Sequence, residues 1–161
     1  RVEFVHGNWQ QTAIAEEFVD GRELYIGIIG NQRLTVLPPR ELFFNDENQE
    51  GPVLATYKVK WDKGYQKKWQ IKFGFANLDD ATAARIGRVC RNVYHVLNLR
   101  DYGRIDLRLG KDSRLTVLEV NPNPDIAKDD EVAEAAKKVG ISYSRLIDRI
   151  LRMTQRRFGR G

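Results

Sequence analysis

The stretch Glu119-Val120-Asn121-Pro122-Asn123-Pro124 limits what this chain can fold into more sharply than any other. Neither proline can donate to a ladder, so a strand arriving there must stop and a rigid loop must follow. That strand is legible. Residues 114–121 alternate in polarity, as do residues 102–109 before them, with residues 110–113 between as the connection. Strand side chains point to opposite faces in turn. Ile105, Leu107 and Leu109 therefore share one face and Arg104, Asp106 and Arg108 the other, while Leu118 and Val120 oppose Glu119 and Asn121. A tight turn near Lys111-Asp112 sets Arg104 and Asp106 roughly across from Glu119 and Asn121.

Two carboxylates, a carboxamide and a guanidinium then converge on one face. Hard cations such as Mg2+ commonly take one or two carboxylates together with phosphate oxygens and water. An arginine beside them can stabilise charge on a transferring phosphoryl group. Spacing alone favours a plain solvated face for such a hairpin. The proline-bracketed loop, which restricts the chain in order to place something, turns the reading toward a ligand.

Elsewhere the first part of the chain reads as mostly extended. Residues 13–19 are rich in Ile, Phe and Val, and Asp20-Gly21 is a turn signal. Leu24, Ile26 and Ile28 alternate with Tyr25, Gly27 and Ile29, and Gly30-Asn31 turns the chain into residues 34–37 to make a hairpin. Pro38-Pro39 interrupts the pairing, which residues 41–44 resume, and residues 45–52 read as an exposed loop. Residues 58–72 carry lysines interleaved with Trp61, Tyr65 and Trp69, show no clean period and are expected to be irregular. Asp79 or Asp80 should cap a helix running to Asn98, with Ile86, Val89, Cys90, Val93 and Leu97 as its buried stripe. A helix over 131–139 should end at Gly140, and Ser142 should cap a second one to about Arg156. Leu146, Ile147, Ile150, Leu151, Thr154 and Phe158 form the apolar side of that last helix. Strands first and helices packed on them later give an α+β fold with a largely antiparallel sheet.

Charge matters only once it is located. The net charge is +5, and from Arg145 onward six arginines face a single acidic residue, Asp148, which accounts for the whole excess. Those arginines are expected on the outer faces of a docked amphipathic helix. No apolar run is long enough for a membrane-spanning helix. The single cysteine, Cys90, lies on a helical apolar stripe as a buried thiol and fits a reducing, cytoplasmic setting. No histidine–cysteine constellation suits zinc, and His95 is expected at the surface. Met153 is the only methionine, so the chain is expected to be part of a longer protein.

Residues 103–107, 118–121 and Pro124 resemble the C-terminal metal-binding part of the ATP-grasp superfamily, above all the D-alanine–D-alanine ligases and their relatives. Ala15-Glu16-Glu17-Phe18-Val19-Asp20-Gly21-Arg22-Glu23-Leu24 resembles that family's hinge and the strand after it. Val139-Gly140-Ile141-Ser142-Tyr143-Ser144-Arg145-Leu146-Ile147 resembles its closing segment. The resemblance implies Asp106, Glu119 and Asn121 as magnesium ligands, with Glu119 bridging two ions and Mn2+ as a substitute cation. It implies Arg104 as the catalytic arginine on the nucleotide phosphates and the acyl phosphate. Glu16, Glu17, Phe18 and Val19 would meet adenine, Glu23 the ribose hydroxyls and Lys60 a phosphate, with Lys58 as the neighbouring register.

The implied activity is an ATP- and Mg-dependent ligation of a small carboxylate substrate to an amine acceptor. Two departures bear on the acceptor. Asp125 stands where the peptide ligases carry a glycine, and Lys128-Asp129-Asp130 where they present a serine to a substrate carboxylate. An acidic loop would repel a carboxylate or bind an amine. No glycine-rich phosphate loop is present, so residues 1–161 are expected to be the C-terminal subdomain, with its hinge strand at about 13–23. The N-terminal domains of the same parent chain would complete the site, and the fragment alone would catalyse little. The competing expectation is a non-catalytic basic module that binds nucleic acid or another anion, with nucleic acid the less favoured partner.

Overall fold

A computed structural model describes residues 1–44 and 54–159. The loop expected at residues 45–52 lies outside the described residues. Strand β1 (Arg22–Ile29) is the organising element, because both of its edges are used. Strand β5 (Tyr102–Leu109) pairs along its whole length, from Arg22 opposite Leu109 to Ile29 opposite Tyr102. The other edge is shared by β2 (Thr35–Val36) and β3 (Arg40–Phe43). Pro38 and Pro39 lie where the chain leaves that edge between the two, as their missing N–H groups require. With β4 (Lys72–Phe75) beyond β3 and β6 (Leu115–Asn121) beyond β5, the sheet runs β4-β3-β1-β5-β6, antiparallel throughout.

Each face of this sheet is covered differently. Leu24, Ile26 and Ile28 of β1 and Ile105, Leu107 and Leu109 of β5 pack under helix α4 (Asp80–Val96), which contributes Ile86, Cys90 and Tyr94. Burying six aliphatic side chains at about 1.5–3 kcal/mol each makes this the main source of stability. Asp79, one of the two caps the sequence offers, caps α4 by accepting the Thr82 N–H at 2.8 Å. The stripe is shorter than expected: Tyr94 is its last buried residue, and Leu97 is exposed because the helix ends beneath it. Burial pushes the Cys90 thiol up to about 12, so it is an inert core residue.

On the opposite face, Tyr25 and Leu42 meet Val59, Ile71, Tyr65 and Trp69 at one end. At the other end Ile29 and Leu37 meet helices α5 (Glu131–Lys138) and α6 (Tyr143–Phe158) through Val132, Ala133, Ala136 and Leu146. Between these two clusters the face carries polar side chains. No helix among the described residues is long and apolar enough to cross a membrane.

Three expectations need correction. Helix α1 (Val2–Trp9), with no buried residue, precedes a segment over 13–19 that forms no strand; Ile14 is 85% exposed. Both edges of β1 are already taken, so this segment cannot pair with the strand that follows it. Residues 58–72 are not irregular. Helices α2 (Tyr57–Trp61) and α3 (Lys63–Lys68) form there, broken at Asp62, whose carboxylate caps α3 by accepting the Tyr65 N–H at 2.9 Å. In α6, Leu146 is buried and Ile150 and Met153 pack on the core, while Leu151 and Phe158 are exposed. Two of its arginines turn inward. Arg149 donates to Thr35 Oγ1 at 2.9 Å, and Arg157 pairs with the buried Asp101 at 2.9 Å.

Candidate functional site

The polar face of the sheet is built from register. Arg104 stands opposite Asn121 and Asp106 opposite Glu119, the pairing expected from the sequence. On its other side β5 sets Asp106 against Tyr25 and Arg104 against Gly27. Gly27 leaves room there for Leu37, whose Cδ1 lies 2.9 Å from where a Cβ would sit. Arg104 clamps Asp106 bidentately, Nε to Oδ1 at 2.7 Å and Nη2 to Oδ2 at 2.9 Å. It also stacks on the Tyr25 ring at 5.3 Å, with Glu131 3.7 Å away. Lys60, from α2, reaches the same ring at 5.8 Å. Lys58, the neighbouring register, is exposed.

These side chains border a cavity of about 680 Å³. Its walls include Lys60, Arg104, Glu119 and Asn121, with Asp125, Asp129 and Asp130 from the loop beyond β6. Asp106 lies behind the wall, its side chain 5% exposed. Burial holds its carboxyl above the ordinary value; Arg104 opposes that shift, Glu119 adds to it and Lys60 opposes it. Burial works against the Arg104 charge, but the Asp106 contacts outweigh it and raise the guanidinium. Burial also raises the Asp130 carboxyl, reinforced by Asp125.

Could this wall hold a divalent cation? Among the described residues no three His, Cys, Asp or Glu side chains are grouped to hold a metal. What is present is one open carboxylate, Glu119, a second close behind it, and the Asn121 amide. The Asn121 oxygen is oriented by the Asn123 N–H at 2.9 Å. Two carboxylates and one amide oxygen form a partial oxygen shell. It suits Mg2+, which keeps water and phosphate oxygens in its remaining positions.

The nucleotide residues expected from the sequence do not all meet at this cavity. Glu23 is buried beside it, accepting from Tyr25 Oη at 2.8 Å and from Arg108 Nη2 at 2.8 Å. Arg108 also ties in the segment before β1, donating from Nη1 to the Val19 carbonyl at 2.9 Å and stacking on Phe18 at 5.0 Å. Glu16 and Glu17 are exposed. Tyr25 and Arg108 were not among the expected site residues, although their alternation with Glu23 and Asp106 was a signal. Their role depends on the β1–β5 pairing, which spans some eighty residues of sequence.

The family described as D-ala D-ala ligase C-terminus matches residues 5–152. An uncharacterized protein of Sinorhizobium fredii is 34% identical over 161 residues, covering 99% of this chain and 46% of that protein. A D-alanine–D-alanine ligase of Bordetella petrii is 32% identical over 134 residues, covering 83% of this chain and 38% of that enzyme. The fold matches a D-alanine–D-alanine ligase from Bacillus anthracis complexed with ATP, with a TM-score of 0.68 at 21% identity, over 88% of this chain and 40% of that one. A D-Ala:D-Ser ligase from Enterococcus faecalis gives 0.65 at 19%, over 86% and 37%. The chain thus spans less than half the length of the relatives it matches.

Proposed function

The chain belongs to the family of D-alanine–D-alanine ligase C-terminal domains, and from that premise we propose that it is the metal- and nucleotide-binding part of an ATP-dependent carboxylate–amine ligase. The observation that carries the reading is the convergence of Arg104, Glu119, Asn121 and Lys60 on one cavity, with Asp106 clamped behind them. ATP, when bound, would supply the phosphoryl group that converts a carboxylate into an acyl phosphate with ADP leaving; an amine would then attack the acyl carbon and expel inorganic phosphate. Glu119, Asn121 and Asp106 are the residues to hold Mg2+. Arg104 and Lys60 offer fixed positive charge to phosphate oxygens, and because Asp106 and Tyr25 already orient Arg104, little reorganisation remains for the reacting complex.

Glu16, Glu17, Phe18 and Val19 offer hinge groups to adenine. Glu23 serves the ribose only by sharing oxygens that Tyr25 and Arg108 already use. The carboxylates of the 125–130 loop suit an acceptor that arrives as an ammonium. A glycine-rich phosphate loop and the remaining substrate contacts come, in this reading, from N-terminal domains of a longer parent.

Titrating the protein with ATP, with and without Mg2+, tests the assignment. Binding should need the metal and weaken at least about tenfold in Glu119→Ala, the loss of one charged ligand. Equal ATP binding by wild type, Glu119→Ala and Asp106→Asn would end the metal assignment.

A further inference from the structure

Arg40 lines the same cavity and has no task in the chemistry above. It is the first residue of β3, directly after Pro38-Pro39, and its backbone is fixed by pairing with Tyr25 on one side and Phe75 on the other. Its guanidinium stacks on the Phe75 ring at 4.6 Å. Stacking settles the plane of the group but satisfies none of its N–H donors. A guanidinium has five donors and no acceptor, and one that is partly buried ordinarily meets a carboxylate. Among the described residues Arg40 has no such partner, and its Nε is buried without a hydrogen bond. Asp130 and Glu134 lie near enough to favour its charge without bonding to it, while burial works against that charge.

The contrast with its neighbours is informative. Arg104 is closed on Asp106, Arg22 on Glu41 and Arg108 on Glu23, each within 2.9 Å. Of these four, only Arg40 lacks a carboxylate partner among the described residues, and it lines a ligand-sized space. We propose that Arg40 is an oxyanion anchor of this cavity, holding a carboxylate or phosphate group of a ligand against the start of β3. The proposal rests on the ligase reading above and names a specificity residue for it. A planar guanidinium matches either oxyanion bidentately, so the two sources share one chemistry. With Asp129 and Asp130 on the facing loop, a carboxylate ligand that also carried an ammonium would meet complementary charge at both ends.

The test follows the Arg Nε–Hε resonances of the full chain by 1H–15N NMR, with Arg40 assigned through Arg40→Lys. The probes are D-alanine, inorganic phosphate and Mg-ATP, added separately. A shift of the Arg40 resonance with D-alanine identifies a carboxylate, and a shift with phosphate or Mg-ATP identifies a phosphate; either supports the anchor. Arg40→Met, which keeps an apolar stem against Phe75, should then weaken the effective probe about tenfold or more. If Arg40→Met fails to fold, Arg40→Lys retains a point charge but not the fork and should show a smaller loss of the same probe. An Arg40 resonance that stays fixed while that of Arg104 moves with Mg-ATP overturns the anchor and leaves the ligase reading standing. If neither arginine responds to any probe, both fall.

Discussion

The Glu23–Arg108 pair is the most demanding test of how this site is held together. Both side chains are nearly sealed, 7% and 3% exposed, at a separation of 2.8 Å. Glu23 accepts from Tyr25 as well, and Arg108 also reaches the Val19 carbonyl. Glu23→Gln keeps size and an acceptor for Tyr25 but takes the carboxylate away from a buried guanidinium. Breaking one partner of such a pair costs about 3–5 kcal/mol, whereas removing both charges costs far less. At roughly 2–4 °C per kcal/mol for a domain of this size, each single variant should lose on the order of 10 °C in melting temperature. Arg108→Met should fall in the same range. The double variant should be less destabilised than the sum of the two by about 2–4 kcal/mol, read from urea unfolding followed by tryptophan fluorescence. Single variants that each cost under about 1 kcal/mol and simply add would refute the reasoning. The pair would then be no more than a surface-grade contact, and Glu23 would be free to serve a ligand.

Gly21 sits at φ +150 with the Leu109 carbonyl against the position of a Cβ, so Gly21→Ala should cost about 1–3 kcal/mol, measurable in the same unfolding assay. Asp101 accepts from Asn31, Thr154 and Arg157. Asp101→Asn should therefore speed amide hydrogen exchange in α6 while leaving α4 unchanged; equal protection of α6 would show that its apolar side alone holds it. The Asp106 pKa is raised above 3.8, first by burial. Between 3.8 and that raised value the native state binds more proton than the unfolded chain. Stability from this group is therefore greatest in acid and declines as pH rises through that window. In the proposed metal site Mg2+ would compete with the same proton, so its affinity should begin to fall at a higher pH than for an ordinary aspartate. The carboxyl itself should titrate at lower pH in Glu119→Gln, which removes one cause of the shift, as read from the Asp106 side-chain 13C resonance; pH-dependent Mg2+ titrations of the wild type check the metal.

What could be read in advance follows from sequence distance. The β5–β6 hairpin joins its strands across a short turn, so alternation alone brought Arg104, Asp106, Glu119 and Asn121 together. The caps at Asp79 and Ser142 and the break at Gly140 were equally legible, since each depends on a few adjacent residues. Tyr25 and Arg40 were not, because they enter the site through the β1–β5 and β1–β3 pairings, whose partners no local pattern names. Helices α2 and α3 were hidden for another reason. They are only five and six residues long, and Asp62 resets the helical phase between them, so no single period spans residues 58–72.

The bulge in β6 shows how a small irregularity decides the chemistry of the face. Asp106 pairs with Glu119, yet Leu107 pairs with Val117, so Leu118 is the extra residue and is exposed. An unbroken ladder would set Leu107 opposite Leu118, Arg108 opposite Val117 and Leu109 opposite Thr116. That would turn an apolar side chain toward the polar face and a hydroxyl toward the core. With the slip, Thr116 stands beside Arg108 and Leu115 beside Leu109. The phase change is written in the strand itself, where Val117 and Leu118 are adjacent apolar residues in an otherwise alternating run. Inserting one residue restores the match of polarity on both sides of it while holding Glu119 against Asp106. Glu119 thus borders the cavity with Asp106 directly behind it because the rest of the strand had to satisfy the core, and the metal reading depends on that accommodation as much as on the acidic residues.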